Sequence, residues 1–168
     1  MDNTFYGPDN VVVCVDRHYP VIIQTTYGAA SPTAVRQYFR WMHEQAERGL
    51  KDGIALALVT DAGAAGVPDA DTRRLIAELA SELNAKIPPK LRWYTAVVVD
   101  NRLVRGVLNT LAWLQGDLQM DYVDSRAEAF SRARAHLLKL GIAVPSTLDE
   151  RLHERPPRPA PRAGIEKR

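Results

Sequence analysis

Three aspartates are the side chains in this sequence that are best placed to do chemistry. Asp61 comes just after the apolar run Ile54–Val59, and Asp69 and Asp71 follow it closely. A carboxylate at the end of a buried strand can act as a general acid or base, and open α/β sheets bind ligands at that edge. Asp69 and Asp71 also suit the start of a helix, where a carboxylate accepts hydrogen bonds from backbone N–H groups.

The three tryptophans form a second group of interest. Trp41, Trp93 and Trp113 lie on apolar helix faces or at strand starts. Core packing accounts for this placement. With Tyr38, Phe39 and Met42 they can instead line a hydrophobic pocket or a dimer face, and both interpretations stay open.

Other patterns that carry chemistry are missing from the sequence. The loop Gly63–Gly66 lacks the lysine of a P-loop and the spacing of a dinucleotide fingerprint. His43 and Glu47 have a spacing found in metal sites, but exposed helix surface explains that pair better. No serine stands in a nucleophile elbow, and Cys14 lies in an apolar run. We therefore expect a protein that is not an enzyme, with no metal or cofactor; an enzyme using Asp61 is the alternative.

Alternating β-rich and amphipathic segments predict one α/β domain over residues 9–145. Val11–Val15 and Val21–Thr26, separated by a polar loop, predict an antiparallel hairpin. Strands then alternate with helices in the order β-β-α-β-α-β-α-β-α, which implies a mixed, mainly parallel sheet with right-handed crossovers. The strands predicted after the hairpin are Ile54–Val59, Arg92–Val99 and Leu118–Val123. Helices are predicted to start after Ser31, at Asp69 or Asp71, at Asp100 or Asn101, and at Ser125.

The last part of the chain has a different composition. Residues 155–162 contain four prolines in eight positions, so residues 146–168 are predicted to be a disordered tail. Residues 151–168 carry a net charge of +4 and the remainder carries −2, so the tail alone produces the pI of about 8.8. Because this charge is modest and no aromatic residue is interleaved, nucleic acid is expected to bind at most weakly, through the tail.

Composition also bears on location. No apolar run approaches the length of about 18 residues that a membrane span needs, and the first residues do not resemble a signal peptide. The single cysteine allows no intramolecular disulfide. We therefore expect a cytoplasmic protein.

The element order resembles the STAS fold of anti-sigma-factor antagonists and of related bacterial STAS/SEC14-like proteins. The segments that carry the resemblance include Ala55–Asp61, Ala-Leu-Ala-Leu-Val-Thr-Asp, and Thr95–Asp100, Thr-Ala-Val-Val-Val-Asp. The similarity covers roughly residues 9–141. It implies a regulatory module that binds another protein.

The resemblance also implies a site that this chain lacks. In regulatory members of the family, a serine at the start of the helix after the central strand is phosphorylated. The matching stretch here, Val67–Thr72, contains no serine. Thr72 is its one hydroxyl, and Asp69 and Asp71 supply a fixed negative charge.

Two function hypotheses follow besides the enzyme. The leading one is a protein-interaction module whose partner surface is formed by Asp61, Asp69, Asp71 and Thr72. The second is a small hydrophobic ligand or lipid-binding domain with a pocket lined by the three tryptophans. A homodimer is also expected to be accessible, because an edge strand at Val11–Val15 can pair with a second copy.

Overall fold

In the part of the chain that the structure describes, six strands form one mixed sheet in which neighbours in the sheet are also neighbours in the chain. The computed structural model describes residues 2–114 and 119–160, with the backbone alone at 111–114 and 119. The first three strands pair antiparallel and the last four run parallel to one another, which confirms the predicted sheet type. The strands are β1 (Asp2–Tyr6), β2 (Val11–Val15), β3 (Val21–Ala29), β4 (Ala57–Gly66), β5 (Tyr94–Val98) and β6 (Gln119–Val123).

Among the described residues, four helices cover the two faces of this sheet. They are α1 (Pro32–Asp52), α2 (Ala70–Ala85), α3 (Arg102–Leu114) and α4 (Arg126–Lys139), with short 3-10 turns at Pro89–Leu91 and Glu150–His153. The connections between parallel neighbours carry α1, α2 and α3 to one face, where α2 contacts both α1 and α3. The opposite face is covered by α4, which packs on β4 and β5. Over the described ranges, no helix has the length and apolar character needed to cross a membrane.

Short polar side chains mark where the helices begin. Ser31 accepts a hydrogen bond from the N–H of Ala34 before α1, and Ser125 accepts one from Glu128 before α4. Asp69 accepts one from the N–H of Thr72 at 2.7 Å before α2. These bonds satisfy backbone donors that the helix itself leaves unpaired, which is why the caps were predictable from the sequence.

The apolar run that leads into β4 contributes to two cores. Leu56 and Leu58 pack with α1 and α2, whereas Ala57 and Val59 pack with α4. Successive side chains of a strand point to opposite faces, so a strand buried on both sides needs apolar residues at every position.

The first strand was not predicted, and it changes the edge of the sheet. Asp2–Tyr6 pairs antiparallel with Val11–Val15, so the domain begins before residue 9. The strand is mostly polar, and Phe5 is its one residue packed on a core cluster, so it lacks the alternation that signals a strand. Because β2 is paired on both sides, Val11–Val15 is not an edge strand, and the expected route to a homodimer is closed.

The central strand β4 is longer than predicted. It continues through small residues to Gly66 alongside β3, with an irregularity where the pairing passes from Thr25–Asp61 to Tyr27–Ala64. Asp61 therefore lies within the strand and not at its end.

Residues 146–160, predicted as part of a disordered tail, lie against the domain over much of their length. Leu148 is buried in the same core cluster as α4, and Glu150–His153 forms a 3-10 turn. The composition of this segment is typical of disorder, but one buried leucine and several polar contacts hold it in place. Residues 161–168 of the predicted tail lie outside the described residues.

Candidate functional site

The carboxylate of Asp61 is fully buried on the α4 face of the sheet. Strand alternation places it on the same face as Ala57 and Val59, which pack against α4. The helix α2 covers the other face. Asp61 is therefore separated from Asp69 and Asp71, and the cluster of three aspartates predicted from the sequence is not formed.

Two arginines neutralise this buried carboxylate. Arg155 binds it with two hydrogen bonds, Nε to Oδ2 at 2.9 Å and Nη2 to Oδ1 at 2.8 Å. Arg126 donates from Nη1 to Oδ2 at 2.9 Å, and the N–H of Gly63 donates to Oδ1 at 3.1 Å. Four charge-assisted hydrogen bonds compensate the cost of removing the carboxylate from water.

These contacts decide the ionisation of Asp61. Burial alone raises the pKa of this carboxyl, but the hydrogen bonds from Arg155, Arg126 and Gly63 outweigh it and hold the pKa below its ordinary value. The hydrogen bonds to Asp61 in turn raise the pKa of Arg155. Asp61 is thus ionised at neutral pH and ion-paired with two arginines. A general acid would instead need a raised pKa and a proton to donate.

Arg126 ties three parts of the chain together. It is the first residue of α4, and its buried guanidinium also donates to Thr25 Oγ1 at 3.2 Å and to the carbonyl of Leu152 at 3.0 Å. Sequence reasoning missed this residue. The sequence did contain one signal: Arg126 directly follows the helix cap Ser125. A positive charge in the first turn of a helix is unfavourable unless a carboxylate compensates it.

The segment 146–158, which we call the C-terminal strap, contacts the domain at several further points. Thr147 Oγ1 lies 2.8 Å from Nδ1 of the buried His18. The hydroxyl of Tyr27 donates to the carbonyl of Pro156, and Arg158 donates to the carbonyl of Asp9 at 3.1 Å. Burial, together with the charge of Asp61, raises the pKa of Tyr27, so its hydroxyl is a protonated donor at neutral pH. Sequence reasoning also missed Arg155, which it assigned to a solvated tail.

The other residues of the predicted partner surface differ in their exposure to solvent. Asp69 and Asp71 are exposed at the start of α2, beside the exposed Val67. The N–H of Thr72 holds the pKa of Asp69 below its ordinary value, and Asp71 lies 3.4 Å from Nη1 of Arg74. Thr72 itself is fully buried. The surface at this helix start therefore presents Asp69 and Asp71, but neither Asp61 nor Thr72.

The tryptophans do not share one pocket among the described residues. The buried Trp41 ring lies 6.2 Å from that of Phe5, between centroids. Trp93 is also buried and borders a cavity. The side chain of Trp113 lies outside the described residues.

The cavity beside Trp93 lies between the sheet and the helices α1, α2 and α3. Its volume is about 250 Å³, and its wall is mostly apolar. The sheet contributes residues such as Thr60 and Thr95, and the helices contribute residues such as Phe39, Leu83 and Val107. This space lies on the face opposite Asp61. In the described parts of the chain, no three His, Cys, Asp or Glu side chains are grouped so as to hold a metal ion.

Comparison with known proteins supports the fold. No model of a known protein family matches the chain, and no curated protein matches its sequence. Its structure is similar to the crystal structure of an anti-sigma factor antagonist from Mycobacterium paratuberculosis, with a TM-score of 0.50 and 13% sequence identity. The match covers 76% of this chain and 97% of the other. The chain therefore has the fold of an anti-sigma factor antagonist, as the resemblance predicted.

Proposed function

We propose that this chain is a cytoplasmic, non-enzymatic protein-interaction module whose partner surface is the start of α2. The observation that carries the proposal is the exposure of Asp69 and Asp71 at the helix that follows the central strand, in a fold shared with an anti-sigma factor antagonist. The ion-paired state of Asp61 adds support, because it withdraws the best catalytic candidate from acid–base chemistry.

The chemistry of this surface suggests the kind of partner. Two exposed carboxylates lie close to Val67, whose side chain is also exposed. A complementary protein surface would present lysine or arginine next to an apolar side chain. Because the Thr72 side chain is buried, we propose that the negative charge here is permanent and is not added by phosphorylation.

Variants that separate charge from helix capping test this surface. Asp69→Ser removes the charge but keeps a capping side chain, and Asp71→Lys reverses a charge that caps nothing. The matched control is Glu78→Lys, an exposed position further along α2. Affinity purification from the native cell, followed by mass spectrometry, should recover a partner with the wild type and the control and lose it with the double variant Asp69→Ser/Asp71→Lys. Equal recovery with all three chains would exclude this surface.

A second candidate function, binding of a small hydrophobic ligand, is favoured by the cavity under α1, α2 and α3. An apolar cavity of about 150 Å³ is large enough to bind benzene, so a space of about 250 Å³ admits a larger apolar molecule. The hydroxyl groups of Thr60 and Thr95, on the sheet side of the cavity, could orient one polar group of such a ligand.

Thermal unfolding in the presence of 1-decanol or decanoic acid tests this candidate. A molecule that binds the folded chain raises the Tm by mass action. Ala80→Phe should fill part of the cavity and abolish the rise, whereas Ala85→Phe, at an exposed position of the same helix, should retain it. Failure of both probes to raise the Tm of the wild type would count against a ligand of this class.

A further inference from the structure

We propose that the sheet surface around Asp61 is a binding site for an arginine–proline peptide segment, and that the chain's own residues 154–158 occupy it. This site lies on the α4 face, so it is distinct from the partner surface at the start of α2 and from the apolar cavity. Three observations carry the proposal: recognition of an arginine, space made for it by a glycine, and a hydrogen bond to the backbone carbonyl of the residue that follows.

The arginine is recognised by its shape as well as by its charge. The planar guanidinium of Arg155 meets both oxygens of the buried Asp61, at 2.9 and 2.8 Å. Lysine has a single ammonium group and cannot form this two-point contact. Arg126 also donates to Oδ2 and the N–H of Gly63 donates to Oδ1, so the carboxylate is presented to the incoming side chain in a fixed orientation.

Gly63 makes room for this arginine. A Cβ atom added at Gly63 would lie 2.0 Å from Nη2 and 3.0 Å from Cζ of Arg155. The same position is 3.2 Å from a carboxylate oxygen of Asp100, whose charge also raises the pKa of Arg155. The guanidinium therefore occupies a slot beside Gly63 that only a residue without a side chain leaves open, and the charges of Asp61 and Asp100 both act on it.

The residue after the arginine is recognised through its backbone. Pro156 has no N–H group, so its carbonyl is the polar backbone group that it offers, and the Tyr27 hydroxyl donates to that carbonyl. Arg158 adds a hydrogen bond to the carbonyl of Asp9. A proline-rich segment is already extended before it binds, so little conformational entropy is lost on docking.

Competition between the chain's own segment and a free peptide tests the proposal. A fluorescent peptide with the sequence of residues 154–162 is added to the full chain carrying Arg155→Ala, in which the slot is empty. We expect this variant to bind the peptide, and the wild type to bind it at least about tenfold more weakly because its site is already occupied. A peptide carrying Arg155→Lys should lose most of the affinity.

The control variant is Arg151→Ala in the full chain, because Arg151 is an exposed arginine outside residues 154–158 that pairs with Asp149. This variant keeps Arg155 in the slot and should exclude the peptide as the wild type does. Binding of the peptide to all three chains with equal affinity would overturn the proposal, as would its failure to bind a folded Arg155→Ala chain. If Arg155→Ala does not fold, a measurement on the wild type tests the proposal instead. The backbone {¹H}–¹⁵N NOE of Glu154, Arg155 and Arg158 should equal that of the core, and values typical of a free tail would also overturn it.

Discussion

The side chains of Asp61 and Arg126 meet in the interior of the domain, with Nη1 of the arginine 2.9 Å from Oδ2 of the aspartate. They are 65 positions apart in the chain, and Arg155, which completes the cluster, is 94 positions from Asp61. A buried ion pair adds little stability relative to well-packed apolar groups, but removing one partner leaves an uncompensated charge. The cluster therefore makes the fold depend on the C-terminal strap.

Replacing Asp61 by asparagine should destabilise the domain strongly. Asp61→Asn leaves the buried guanidinium of Arg126 without its carboxylate, and losses of about 3–5 kcal/mol in the free energy of unfolding are typical of such changes. Urea denaturation followed by circular dichroism measures the difference. Asp71→Asn, at an exposed aspartate, should have no measurable effect, and a loss below about 1 kcal/mol for Asp61→Asn would show that the pair is not a structural requirement.

The same carboxylate should make stability depend on pH in the acid range. Because the pKa of Asp61 is lower in the folded chain than in the unfolded one, its contribution is fully present above the unfolded pKa and is lost as the pH falls through the folded pKa. The difference in the free energy of unfolding between the wild type and Asp61→Asn should therefore shrink below about pH 4.

Titration of histidines must be separated from this effect. Burial lowers the pKa of His18 and of His136, so the wild type should already lose some stability below about pH 6.5. Both chains share that loss, and the difference between them isolates Asp61. Urea denaturation at pH 7, 5, 4 and 3 tests this, and a difference that stays constant over the series would contradict the assignment.

Truncation of Leu148 tests whether the strap belongs to the folded domain. Leu148 is 3% exposed and packs in the α4 core, so Leu148→Ala should lower the free energy of unfolding by about 2–5 kcal/mol. The matched control is Leu138→Ala, because Leu138 is 65% exposed and its loss should change stability by no more than about 0.5 kcal/mol. Equal effects of the two variants would mean that the chain folds without its strap.

Much of the fold was predictable because its signals are local. Ser31, Asp69 and Ser125 each act on a backbone N–H three residues away. The continuous apolar run of β4 likewise reports burial on both faces within a few positions.

The buried ion-pair cluster was not predictable in the same way. Asp61 was recognisable as a buried acid, but its partners lie in distant segments that only the fold brings together. Arg155 was also hard to recognise because it lies in a segment of prolines and arginines, a composition typical of a solvated tail. The strand β1 was missed for a related reason, since its polar residues are stabilised by pairing with β2 and not by their own pattern.

The predicted pocket lined by tryptophans shows a different limit of prediction from the sequence. Aromatic side chains signal burial, but their type does not say which of them border a cavity. Trp93 borders the cavity, whereas Trp41 packs beside Phe5. The residues named beside the tryptophans, Tyr38, Phe39 and Met42, do line the cavity, and most of the remaining wall is formed by aliphatic residues and threonines.

A double-mutant cycle with Gly63 tests whether Arg155 and Gly63 act as one unit. Gly63→Ala places a methyl group 2.0 Å from Nη2 of Arg155 and should displace the guanidinium from Asp61 without changing any charge. Its effect on the free energy of unfolding should therefore overlap with that of Arg155→Ala, and the double variant should lose little more than either single one. Gly106→Ala is the control, because no atom lies within 4 Å of the added Cβ and alanine in a helix should stabilise the chain by about 0.5–1 kcal/mol. If the effects of Gly63→Ala and Arg155→Ala were simply additive, the slot formed by Gly63 would not be what positions the arginine.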